Sequence, residues 1–160
     1  MPPTPQPEPL ASRELSFSRE INVPREKLFR AWTDPKLVVQ WFTPAPWRTT
    51  KAELDVRPGG SFIVMEGPNG EVVPNRGIYL EVVPNEKIVF TDAFVRAWEP
   101  SNKAFIVATV TFDDLGGGKT RYTARVQHWN VADTKVHEQM GFYAGWGVAT
   151  DQLAALAAKL

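Results

Sequence analysis

The chain has 160 residues, 43% hydrophobic and 22% charged, with 18 basic and 18 acidic side chains, zero formal net charge and no cysteine. That length gives one domain able to bury its own core. The lack of cysteine excludes disulfides, thiol nucleophiles and thiolate zinc sites and fits a reducing, cytoplasmic setting, and the balanced charge without a basic stripe argues against a nucleic-acid partner.

The proline-rich residues 1–13 predict a disordered leader without the hydrophobic middle of a secretory signal, and residues 14–160 form the single domain. No stretch approaches the length of an apolar membrane span. Residues 14–23 alternate through Leu15, Phe17 and Ile21 and read as a strand. Pro24 suits the first turn of a helix, and Leu28, Phe29 and Trp32 then recur at helical spacing. Asp34-Pro35 stops that helix and starts a short second one, whose apolar face is Leu37, Val38, Trp41 and Phe42. Thr43-Pro44-Ala45-Pro46 ends it.

Strands and turns follow. Residues 47–56, 61–66, 71–83, 87–94, 103–112 and 120–129 read as strands. They are joined by Arg57-Pro58-Gly59-Gly60, by the hairpin tip Gly67-Pro68-Asn69-Gly70, by Pro84-Asn85, by a loop over 95–102 and by a glycine-rich turn. Asp133 or Thr134 is placed to cap one long helix reaching Leu160. Its stripe Phe142, Trp146, Ala149, Leu153, Leu156 and Leu160 reads as packing on a sheet, and Met140, Tyr143, Ala144 and Gly147 form a second patch. The order is β-α-α-β6-α, an α+β fold in which a long antiparallel meander curls around the last helix. A pocket is expected between the two.

The tempting catalytic motifs fail on spacing. Gly118-Lys119-Thr120 resembles the end of a phosphate loop, but Asp113 stands where the first glycine is needed and a strand follows. His128 and His137 are the only histidines, with no metal-ligand spacing between them, so no metal and no cofactor are expected. No nucleophile elbow and no paired carboxylates are present. The candidates are therefore polar groups set in an aromatic wall. Arg76 falls in register with Ile78, Leu80 and Val82, and needs a partner such as Glu66 or Asp92 if it faces inward. Tyr122 and His128 share a face of the last strand, and His137 is placed to cap the helix or line the cavity. The expected site is thus Arg76, Tyr122, His128 and Tyr143 as polar handles, with Phe62, Ile78, Phe90, Phe94, Met140 and Gly147 shaping it. Trp47 and Tyr79, if outward, would serve a protein-binding surface or equally a homodimer.

These pieces together resemble the START-like, or helix-grip, superfamily (SRPBCC), in the branch named for the activator of the heat-shock-protein ATPase, often polyketide-cyclase-like in bacteria. The likeness is carried by Pro24, the run Leu28 to Pro35, Trp41, the run Asp55 to Gly60, Gly67-Pro68-Asn69-Gly70, Asn75-Arg76-Gly77, His137, Met140-Gly141-Phe142 and Gly145-Trp146. It spans residues 17–160. The resemblance implies a cavity for a small hydrophobic or amphipathic molecule. It also implies two alternatives, a cyclase or dehydratase using Arg76, His128 and Tyr143, and a chaperone-activating, protein-binding domain. In the resembling eukaryotic proteins the chaperone role involves a second domain.

Overall fold

A computed structural model describes residues 6–67 and 73–160. The chain opens with a 3-10 turn, Leu10–Arg13, and then β1 (Glu14–Ile21), α1 (Arg25–Thr33) and α2 (Pro35–Val38). The strands β2 (Arg48–Leu54), β3 (Ser61–Gly67), β4 (Val73–Val83) and β5 (Lys87–Thr91) follow. A small ribbon comprises β6 (Phe94–Arg96) and β7 (Glu99–Pro100), and β8 (Ile106–Gly116) pairs with β9 (Lys119–His128). Two helices, α3 (Val131–Gln139) and α4 (Phe142–Ala157), end the chain. The main sheet has seven strands in the order β1-β9-β8-β5-β4-β3-β2, all neighbours antiparallel. The expected α+β order is therefore present. The tip over 68–70, like residues 1–5, lies outside the described residues.

Local chemistry explains the boundaries. Pro24 precedes α1 as its N-cap, and Asp34 ends α1 and caps α2 by accepting a hydrogen bond from the Lys36 amide at 2.9 Å. The leader is not wholly unstructured. Arg13 donates to the His128 carbonyl at 2.8 Å, and Glu8 accepts from the Val131 amide at 3.0 Å, which ties residues 8–13 to the start of α3.

Three further expectations are corrected. The last helix begins earlier, because Asn130 rather than Asp133 or Thr134 caps it, accepting from the Asp133 amide at 2.7 Å. It is also two helices: Gly141, at φ 96°, takes the left-handed conformation that terminates α3 and restarts the chain as α4. The loop over 95–102 contains the β6–β7 ribbon, which packs beside β4.

The core lies between the sheet's inner face and the helices. Trp32 is at its centre, with its ring 4.9 Å from Trp41 and 5.9 Å from Phe90. Its indole N–H donates to the Tyr122 hydroxyl at 3.1 Å, and that of Trp41 to the Ala31 carbonyl at 2.9 Å. Both buried aromatic donors are thus satisfied. Along α4, Phe142, Ala149 and Leu153 are buried and Trp146 and Leu156 pack on the core, as does Leu160 just beyond the helix, as the stripe predicts. α4 lies against α1 and β1, while α2 lies against β2. The concave face between those two contacts is not filled by α4. No helix among the described residues is long and apolar enough to cross a membrane.

Candidate functional site

The gap left between α4 and the far half of the sheet contains two adjoining chambers. The larger, of about 650 Å³, lies between the loop after α2 (Thr43 to Trp47) and the N-terminal half of α4. The smaller, of about 340 Å³, lies against the sheet, on Phe62, Phe90, Ala108 and Val126. Phe42, His137, Met140 and Trp146 border both, so these four side chains partition one concave space.

Each wall has a local cause. Gln152 on α4 holds the loop: its amide nitrogen donates to the Trp41 and Thr43 carbonyls at 2.8 and 2.9 Å, and its oxygen accepts from the Ala45 amide at 3.1 Å. Thr43 and Thr49 share a further hydroxyl hydrogen bond. Gly145 faces Pro44 across the mouth, where a Cβ would sit in ordinary van der Waals contact, 3.8 Å from the Pro44 ring. In the smaller chamber Phe62 and Phe90 stack with centroids 4.7 Å apart. Gly77, beside Phe62 in register, makes room because a Cβ would collide with the Thr91 carbonyl.

The polar feature of the wall is His137. Its Nδ1 is 2.8 Å from Nε2 of His128, whose Nδ1 is in turn 3.1 Å from the Arg13 carbonyl oxygen. Phe105 and Phe142 flank its ring at 5.1 and 5.2 Å. Burial, and then His128, push its pKa down to about 4, with Asp92 acting in the opposite sense. Asp92 itself is committed through Oδ1 to the Phe105 and Ile106 amides, at 2.9 and 3.0 Å.

Of the expected site residues, Phe62, Phe90 and Met140 line the chambers, with Met140 at their boundary. Arg76 borders the smaller chamber but is exposed, not part of an inward apolar row. The reason is a β-bulge between Tyr79 and Glu81. Before it Gly77 and Tyr79 face inward, opposite Phe62 and Phe90, and after it Val82 does, so Arg76 and Ile78 belong to the other face. Ile78 is fully buried there, outside the main cluster. The Glu66 side chain considered for Arg76 lies outside the described residues.

The remaining residues are placed elsewhere. Phe94 packs on Trp98 in the ribbon, with centroids 5.7 Å apart. Tyr122 is core, bonded to Trp32, and burial raises its phenol well above the ordinary range, so it supplies no base near neutral pH. Tyr143 is 48% exposed and borders neither chamber. Gly147 faces Arg19, which pairs with Asp151 at 2.5 Å. His128 is buried behind His137. Arg76, His128 and Tyr143 therefore do not converge as a catalytic trio. Tyr79 is fully buried and no part of an outer surface, whereas Trp47 is 45% exposed at the larger chamber. Among the described residues no group of three or more metal-ligating side chains is found.

Phe42, Trp146 and Asp92 also line the chambers, although the sequence pattern does not mark them for that role. Trp146 sits on the predicted packing stripe, and only the incomplete coverage of the sheet by α4 gives it a second, cavity-facing role.

Residues 22–158 match the family described as Activator of Hsp90 ATPase homolog 1-like protein. Protein NE0264 from Nitrosomonas europaea is 35% identical, covers 93% of this chain and 96% of its own, and superposes with a TM-score of 0.88. A protein from Rhodobacter sphaeroides shares the fold at 20% identity, over 97% of this chain and 99% of its own, with a TM-score of 0.80. Protein Ms6760 from Mycobacterium smegmatis does so at 22%, over 96% of each chain, with a TM-score of 0.76. No curated protein matches the chain.

Proposed function

This chain belongs to the Activator of Hsp90 ATPase homolog 1-like family, of the START-like helix-grip fold, and on that footing we propose that it binds a small, largely apolar molecule in the two-chambered cavity. The observation that carries the reading is the incomplete filling of the concave face. α4 rests on α1 and β1, and the space beyond is bounded by Trp32, Phe42, Phe62, Phe90 and Trp146. Concave, aromatic-lined space with few polar groups is the common form of a small-molecule site. A ligand there gains by covering apolar surface, at roughly 25 cal/mol per Å².

The test is a titration with N-phenyl-1-naphthylamine, a neutral fluorophore. The protein should give a saturable, single-site rise in emission. At about 100 times Kd the dye should add ~2.7 kcal/mol of stability. Gly145→Phe places a ring at the mouth, where a Cβ has ordinary van der Waals room beside Pro44. That variant should fold and lose the dye. Neither emission change nor thermal stabilisation in the unaltered protein would refute the reading.

A further inference from the structure

We infer that the chain Arg13 carbonyl–His128–His137 presents a fixed lone pair, on His137 Nε2, at the junction of the two chambers, and that the cavity therefore selects ligands carrying a hydroxyl donor. This rests on the cavity reading above and names the ligand class for it.

A carbonyl oxygen only accepts, so the contact between His128 Nδ1 and the Arg13 carbonyl requires the proton on Nδ1. In a neutral ring that leaves His128 Nε2 as an acceptor. Its partner at 2.8 Å, His137 Nδ1, must then donate. A neutral His137 with its proton on Nδ1 has an unprotonated Nε2. Nε2 makes no hydrogen bond among the described residues, and His137 borders both chambers. The lowered pKa of His137 keeps the ring neutral near pH 7.

The anchor of this chain is well held. Arg13 also donates its guanidinium to the His128 backbone carbonyl at 2.8 Å, so residue 13 and residue 128 clasp each other twice. Phe105 and Phe142 fix the plane of the His137 ring. The acceptor is therefore preorganised. A phenol or alcohol meets it with a hydrogen bond, whereas a ketone or ether of the same shape brings a second lone pair and leaves both unsatisfied.

Two measurements test this on the full chain at pH 7.5. Two-bond proton–nitrogen correlation NMR with ¹⁵N-labelled histidine should show the proton on Nδ1 of both His128 and His137. A proton on His137 Nε2 overturns the inference and leaves the cavity reading standing. Calorimetry should then show 2-naphthol binding about fivefold to tenfold tighter than 2-methoxynaphthalene, the advantage of one hydrogen bond. The ratio should fall to about one in His137→Phe. Equal affinities in the unaltered protein overturn the inference, again without touching the cavity. Failure of both naphthalenes and of N-phenyl-1-naphthylamine to bind overturns the cavity reading and this inference with it.

Discussion

Lowering the pH from 7.5 to 5.0 should cost this protein stability through His137, by an amount the structure sets. An exposed histidine titrates at its ordinary value of 6.5, whereas burial, followed by His128, brings His137 down to about 4 in the fold. The groups around it are His128 on β9, Asp92 after β5, and Arg13, which holds His128. The folded pKa lies below the unfolded one, so between those values the unfolded chain binds more protons and stability rises with pH. The contribution is complete above about 6.5 and shrinks as pH falls toward 4. Integrated from pH 7.5 to 5.0, a fully buried group with these values would lose about 2 kcal/mol. His137 is only half-buried, so solvent screening reduces the expectation to roughly 1 kcal/mol. Urea unfolding at the two pH values, for the unaltered chain and for His137→Gln, isolates the effect because the shared carboxylate titration cancels. The glutamine can still donate to His128 and does not titrate. The unaltered protein should lose about 1 kcal/mol more than the variant on acidification. Equal losses would refute the reasoning.

The two buried tyrosines make a matched pair. Tyr122→Phe strands the Trp32 indole N–H and should cost about 1–3 kcal/mol in urea unfolding, whereas Tyr79→Phe removes a buried hydroxyl that has no partner among the described residues and should leave stability unchanged or raise it by up to about 1 kcal/mol. Gly77→Ala forces a Cβ onto the Thr91 carbonyl and should destabilise by about 1–3 kcal/mol, with β4–β5 amides losing hydrogen-exchange protection first. Gln152→Ala frees the loop after α2 from α4 and should weaken N-phenyl-1-naphthylamine binding about tenfold while changing the melting temperature little.

Features with a local cause were legible in the sequence. Pro24, Asp34-Pro35 and the alternation of β9 mark their elements correctly because capping and strand periodicity act over a few residues. The stripe from Phe142 to Leu160 likewise names the packed face of α4. The site was less legible, for two different reasons. The bulge at Leu80 shifts β4 by one residue and turns Arg76 outward, and nothing in the run Arg76 to Val82 marks where the extra residue falls. The His128–His137 contact arises because Asn130 turns the chain sharply from β9 into α3, which places residues nine apart within 2.8 Å. By contrast, the break at Gly141 did carry a signal, a glycine just past a helical turn, and a single long helix was the weaker reading of it.

The central claim is that the space between α4 and the open half of the sheet is a ligand site, not unfilled core. Amide chemical-shift mapping of the ¹⁵N-labelled protein with N-phenyl-1-naphthylamine tests it most directly. Shifts should concentrate at residues 42–47 and 137–149 and at Phe62 and Phe90, the residues that bound the two chambers. Shifts confined to another apolar surface, such as the ribbon around Trp98, or no shifts at saturating dye, would contradict it.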